Sequence, residues 1–353
     1  RKVLETSLSS IVGSVSSEKS GLPAEEVEAL SFSDGQLFHD IYGTPRPTPR
    51  VLAPVADTHG HLGSLHEHSA AESLARAAAA GARMLIVPVD IATEFPRKWA
   101  DTRAFIAWFE TTLSAARAAY TKLAEANLCV PCDLPAEYLF EHTYFVVGAH
   151  PYSAPDYNQE AEQRLFELLE HPLCVGVGEI GLDFGPYCEV PEEVQRKVFE
   201  QQLSIAHEYN QRVELHLRDG ADDTHAHDLA LEILNCMGVP KVGCDLHCYT
   251  DGPEVMKPFA DLGCFVAFGG AATFKRSDDI RAAMISCPEA QLLSETDFPY
   301  MAPEPLRGGE CTPAMVVHTV ERLAELRWQR LDIPKEKTYT ILWKNAQRFV
   351  GLA

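Results

Sequence analysis

From residue 51 onward, short apolar runs rich in β-formers alternate with longer stretches of helical period, and this rhythm limits the fold more than any other feature. The runs are "VLAPVADTH" (51–59), "MLIVPV" (84–89), "YFVVGAH" (144–150), "CVGVGEIG" (174–181), "RVELHL" (212–217), "KVGCDLH" (241–247), "CFVAFGG" (264–270) and "QLLSETDF" (291–298). Between them lie segments such as "ESLARAAAAGA", "QEAEQRLFELLEH" and "HAHDLALEILNCMG"; "TPAMVVHTVERLAEL" and "YTILWKNAQRFVGLA" follow the last run. Strands that alternate with helices pair in parallel, and eight of them predict an α/β chain closed into a (β/α)8 TIM barrel. An open doubly wound sheet is the competing fold. No G-x-G-x-x-G turn follows the first run, and the strand count suits closure.

The rest of the chain divides around this pattern. Residues 1–50 read as an N-terminal extension and linker, with a short helix in "SGLPAEEVEAL" and a stiff Pro-rich "YGTPRPTPR". Residues 51–353 form the barrel, and 90–143 is a helical insertion between strands two and three. That insertion, "ADTRAFIAWFETTLSAARAAYTKLAEAN" followed by "CVPC", is either a lid or contact surface near the mouth or a plain packing helix. Cys129 and Cys132 form a lone C-x-x-C with no second pair, a pattern that arises often by accident. The opening "RKVLETSLSSIVGSV" is too broken by Ser and Gly to read as an export signal.

Charge and cysteines narrow the function. A formal charge of −21 makes the chain as a whole repel polyanions, so a phosphate substrate must be drawn by a local site, most simply by bound cations. Ten cysteines, several inside apolar stretches and without a disulfide-like framework, point to a reducing compartment and a cytoplasmic location. No apolar run approaches the roughly 18 residues of a membrane span.

In a (β/α)8 barrel the active site is built at the carboxyl ends of the strands. Here those ends carry Asp57, His59 and His61 on the first, His150 on the third, Glu179 on the fourth, His216 on the fifth, His247 on the sixth and Asp297 on the eighth. Residues i and i+2 of a strand share a face, so His59 and His61 can converge on one ion. His225 and His227 open a helical stretch, where two positions are about 200° apart, so they should diverge toward solvent. His66 and His68 sit in a loop and read as surface histidines. Four histidines with Glu179 and Asp297 can hold two divalent cations, Glu179 placed to bridge them. Such a pair lowers the pKa of bound water, and Asp297 suits a ligand that also accepts the water's proton. Mixed imidazole and carboxylate ligation suits zinc, manganese, iron or cobalt better than magnesium alone.

As a set, "DTHGHL", "GEIGLD", "HLRD", "LHCYT" and "SETDFPYMAP…RG" resemble the successive signatures of the TatD family of metal-dependent hydrolases, within the amidohydrolase superfamily. The resemblance runs from about residue 51 to the end with every motif in order. It implies a distorted barrel, two divalent metal ions (Mg, Mn or Zn), and deoxyribonuclease or exonuclease activity on DNA or a small phosphoester. By position it carries metal-binding roles onto His59, His61, Glu179, His216, His247 and Asp297. The chain departs from the family at Tyr152, where a second histidine is usual, and near Thr312, where a carboxylate is usual. Neither departure removes a metal ligand.

Three further residues are candidates for substrate binding. Arg218 shares a face with His216 and either clamps a phosphate or pairs with Asp219 or Asp222. His150 either donates to a leaving oxygen or is a satisfied core histidine. Tyr249, like Tyr300, either stacks on a base or packs in the core. "FGG" (Phe268–Gly270) either lets backbone approach substrate or forms a strand-end turn. The competing functions are a metal-dependent amide or carboxylic-ester hydrolase, attacked by the same water, and a non-catalytic interaction protein.

Overall fold

The structure, a computed structural model, describes residues 34–352. The predicted helix in "SGLPAEEVEAL" and the opening apolar patch lie outside those residues. The described part begins with a small antiparallel pair, β1 (Phe38–His39) and β2 (Pro45–Arg46). Eight parallel strands follow in sequence order around one sheet: β3 (Val55–Asp57), β4 (Ala82–Asp90), β5 (Thr143–Gly148), β6 (Cys174–Asp183), β7 (Arg212–Arg218), β8 (Cys244–Leu246), β9 (Phe265–Phe268) and β10 (Leu292–Ser294). Each neighbour pair is parallel, as helical crossovers require.

Closure comes from hydrogen bonds between the first and last barrel strands. Thr58 N donates to Ser294 O at 3.0 Å, Ser294 Oγ to Ala56 O at 2.9 Å, Asp297 N to His59 O at 3.0 Å and His61 N to Phe298 O at 2.8 Å. Gly60 sits in this seam as an isolated bridge to Phe298. A Cβ at Gly60 would lie 2.0 Å from the Phe298 ring, so only glycine lets that buried ring cover the backbone there.

The regular part of the first barrel strand is shorter than the 51–59 run, ending at Asp57. His59 and His61 therefore lie beyond it, on backbone held by the seam and not by a regular ladder. The helices match the periodic segments. α1 (Ala70–Ala80) is capped by Ser69, whose side chain accepts from Glu72 N, and ends at Gly81 in the left-handed region. α2 (Thr102–Glu125) and α3 (Glu137–Glu141) occupy the segment between β4 and β5. α2 sends Phe105 and Phe109 against Phe145 of β5.

The amino end of the barrel is plugged by α10 (Lys335–Val350), which follows α9 (Val316–Leu331). Its Trp343, Ala346 and Phe349 join Met84, Ile86, Val146, Ala267 and Leu293 in one buried apolar cluster. Along β7, alternation puts Glu214 and His216 on one face, and the place of His216 late in the strand sets it toward the carboxyl end. The apolar plug leaves polar chemistry to the carboxyl end.

The segment before the barrel is anchored by Phe38, whose ring meets His318 of α9 edge-on at 4.7 Å. His318 is buried, its Nε2 has no hydrogen-bond partner among the described residues, and burial pushes its pKa down to about 4. The unfolded chain takes up that proton near 6.5, so the stability that the neutral ring contributes is present above that pH and lost as pH falls toward 4. Replacing it by His318→Gln should flatten the acid side of the stability profile by at most about 3 kcal/mol. Urea unfolding of both proteins at pH 7 and near pH 4.5 checks this; parallel losses in both would exclude the linkage.

Candidate metal centre

Glu179 is the centre of the site. On β6 the pairing with β7 shifts between Val177 and Ile180, so Gly178 and Glu179 together oppose Glu214. Such a bulge re-aims a side chain, here into the barrel mouth. It also explains the glycines of "GEIG": a Cβ on Gly178 would sit 2.6 Å from Glu214 Cβ, and one on Gly181, at φ 148°, 2.0 Å from His216 O.

Five imidazoles surround that buried carboxylate. Glu179 Oε1 lies 3.0 Å from His247 Nε2, 3.3 Å from His216 Nδ1 and 3.9 Å from both His59 Nε2 and His150 Nε2, and Oε2 is 3.8 Å from His61 Nε2. Asp297 Oδ1 faces the first pair, 3.5 Å from His59 Nε2 and 3.4 Å from His61 Nε2. Asp297 stands just past β10 in the left-handed region, at φ 58°, its backbone N–H tied to His59 O across the seam. The structure thus brings together His59, His61, Glu179, His216, His247 and Asp297 from five strand ends.

Two pairs of ring nitrogens lie at hydrogen-bond distance from each other. His59 Nε2 and His61 Nε2 are 3.3 Å apart, and His216 Nδ1 and His247 Nε2 are 3.2 Å apart. The tautomers of His59 and His216 are set from behind. His59 Nδ1 is 2.9 Å from Glu214 Oε1, and His216 Nε2 is 2.9 Å from Asp183 Oδ2. Each carboxylate takes the far N–H, which turns the other nitrogen's lone pair toward Glu179. With the rings neutral, these nitrogens and the carboxylate oxygens beside them form donor sets that fit cations: His59, His61 and Glu179; His59, His247 and Asp297; and His150, Glu179 and His216.

The electrostatics agree. Burial opposes charge on His61 and His216, yet the neighbouring carboxylates, Glu179 above all for His61 and Asp183 for His216, outweigh it and raise both pKa values to about 9. Burial also opposes ionisation of Glu179, but His59 and His61 hold it well below the ordinary carboxylate range. Asp297 is likewise lowered against burial, by His61 and His59. Glu179 and Asp297 are thus held ionised among the imidazoles and call for positive charge.

Asp183 and Glu214, which stand behind His216 and His59, were passed over by the strand-end reading. The sequence did carry a signal, an acid two residues ahead of a strand-end ligand: Asp57 before His59, Glu214 before His216, Asp245 before His247 and Glu295 before Asp297. All four acids are fully buried. Asp57 accepts from Thr296 N and Oγ1, which holds the seam, and Glu295 accepts from Cys248 N. Burial pushes Asp245 and Glu295 far up, with Glu214 repelling the first and Asp297 the second, and raises Asp57 to about 7 and Glu214 to about 8.

Around the centre opens a cavity of about 620 Å³ lined by His150, Arg218, Tyr152, Tyr187 and Tyr300, with Arg97 and Lys98 from the segment after β4. His150 stacks edge-on to His216, and its Nδ1 accepts from Tyr152 N, so its Nε2–H points inward; burial pushes its pKa down to about 3. Arg218 does not pair with Asp219. That carboxylate instead takes His227 Nδ1 at 2.6 Å and the first amides of α6 (His225–Met237), leaving Arg218 exposed on the cavity.

Two expectations, those for Tyr249 and His227, need correction. Tyr249 is buried, donates to Gly252 O at 2.6 Å and does not line the cavity, so it is not available to a base. His227 does not face solvent, because Asp219 draws it under the helix start. The loop of His66 and His68 is fixed, too: Glu310 accepts from the amides of His66 and Glu67 and pairs with His68 Nδ1 at 2.8 Å. This buried carboxylate stands two residues before Thr312, where the family pattern led us to look for one. At "FGG", a Cβ on Gly270 would fall 1.9 Å from Met301 O, so the glycine serves loop packing. All ten cysteines are free, Cys129 and Cys132 included.

A parallel barrel with a histidine–carboxylate cluster at the carboxyl ends of its strands defines a metal-dependent hydrolase. The family model of TatD-related DNases matches residues 56–351, and the chain belongs to that family. A Bacillus subtilis metal-dependent hydrolase, YabD, is 32% identical over 209 residues, covering 59% of this chain and 78% of that protein. The Escherichia fergusonii protein named 3'-5' ssDNA/RNA exonuclease TatD is 31% identical over 193 residues, 53% of this chain and 72% of its own length. The solved YjjV structure from Escherichia coli, 24% identical, superposes with a TM-score of 0.64 over 86% of this chain and all (100%) of that one, a likeness of fold.

The orienting role of Glu214 can be measured without turnover. Glu214→Ala should weaken metal binding about ten- to a hundredfold, the usual effect of losing the partner behind a ligating histidine. Titration calorimetry with Mn²⁺ checks this, and unchanged affinity would remove the role.

Proposed function

We propose that this chain is a nuclease of the TatD type, hydrolysing phosphodiester bonds of DNA or RNA with two divalent cations, Mg, Mn or Zn, held by His59, His61, Glu179, His216, His247 and Asp297. The observation that carries the reading is the Glu179 carboxylate within 3.9 Å of five imidazole nitrogens, two of them aimed by buried acids. When bound, two such ions supply Lewis acidity toward a phosphoryl oxygen and lower the pKa of water.

The protein's own groups complete the chemistry. Asp297, kept ionised by His61 and His59, accepts the proton of the attacking water. Arg218, exposed on the cavity with five N–H donors and close to Asp183, holds a non-bridging phosphate oxygen. His150, neutral with its Nε2–H directed inward, donates a hydrogen bond to substrate. The relative named an ssDNA/RNA exonuclease supports nucleic acid as the substrate class. We further read residues 1–50 as an extension and 90–143 as an insertion that brings Arg97 and Lys98 to the mouth. Ten free cysteines support a reducing, cytoplasmic setting, and no helix among the described residues is long and apolar enough to cross a membrane.

Purified protein with end-labelled single strands and Mn²⁺ or Mg²⁺ should release nucleotides, and chelation should stop it. Asp297→Asn should lower the rate at least a hundredfold, within the general-base range of about 10²–10⁴, while urea unfolding stays within about 1 kcal/mol of wild type. Turnover of carboxylic esters or amides without strand cleavage would instead assign the centre to carbonyl substrates.

A further inference from the structure

Of the nine large apolar or aromatic side chains exposed among the described residues, three are tyrosines on the rim of the metal cavity: Tyr152 at 43%, Tyr187 at 76% and Tyr300 at 58% exposure. They come from the loops after β5, β6 and β10, so they stand around the mouth and not along one element. Each ring is steadied from the protein side and open on the other. Tyr300 meets His61 edge-on at 6.0 Å, Tyr152 meets His150 edge-on at 4.6 Å, and the Arg218 guanidinium lies 5.5 Å from the Tyr187 centroid. Leaving such rings in water without a partner forgoes burial that a folded chain normally takes. Arg97 is exposed beside them and makes no ion pair among the described residues.

We infer that Tyr152, Tyr187 and Tyr300 form a stacking rim that receives the unpaired bases of a single strand while Arg97 takes a neighbouring phosphate, an inference that rests on the nuclease reading. A base inside a duplex has both faces covered, so only an unpaired base can lie on these rings. Stacking accepts every base and gives affinity without sequence preference. It also answers the repulsion of a chain with net charge −21: attraction comes from π-faces and from a few local cations, not from a basic surface. Tyr152, in the position where the family's second histidine is usual, becomes part of a substrate platform.

The test uses the metal-loaded protein, a nuclease-resistant phosphorothioate oligothymidylate and an abasic strand of equal length, with binding read by fluorescence anisotropy. Wild type should bind the base-bearing strand about tenfold or more tighter, the range of one or two stacked bases. The Tyr187→Ala/Tyr300→Ala double variant should lose most of that preference, and Tyr187→Phe/Tyr300→Phe should keep it. Equal affinity for both strands in wild type, or a preference that survives the alanines, would overturn the rim. Unmodified strands separate this from the parent reading: a base preference without hydrolysis leaves the rim standing and removes the nuclease, and hydrolysis without a base preference does the reverse.

Discussion

Charge balance around Glu179 is the constraint from which the rest of the site follows. A carboxylate taken out of water needs compensating charge or hydrogen bonds, and here the groups nearest to it are imidazoles. Protons on His61 and His216 supply that charge in one state, and cations would supply it in the other. Asp183 and Glu214 decide which nitrogens face inward. Moving any of these groups changes what the others can hold.

The barrel delivers that arrangement through two irregularities, not through ideal strands. A bulge in β6 turns Glu179 into the mouth, and Gly178 lets β7 approach behind it. A seam from Asp57 to Phe298 draws the first strand end onto the last, so His59 and His61 meet Asp297 across the closure. The same seam depends on Gly60, over which the Phe298 ring lies. The hydrogen bonds that close the barrel also bring His59 and His61 against Asp297.

Alternation of strands and helices made the architecture readable from the chain, because parallel strands buried on both faces leave long apolar runs. The side chains that cluster at the mouth were readable because they end those runs. Tyr249 misled because its motif neighbour His247 faces the mouth while its own ring turns into the core, a choice made by the Gly252 carbonyl. His227 misled because helical spacing alone does not reveal Asp219, eight residues back, as its partner. The acid-x-ligand repeat was present four times in "DTH", "ELH", "DLH" and "ETD", yet its meaning rests on barrel interior geometry. Glu310 was beyond reach for a similar reason, since its partners lie more than 240 positions away.

That one shared carboxylate holds two cations is our proposal, and metal stoichiometry tests it most directly. Elemental analysis of protein loaded with Mn²⁺ and desalted should give two ions per wild-type chain and fewer than one per Glu179→Ala chain, with the fold of both verified by circular dichroism. A folded Glu179→Ala protein that retains two ions would contradict the account.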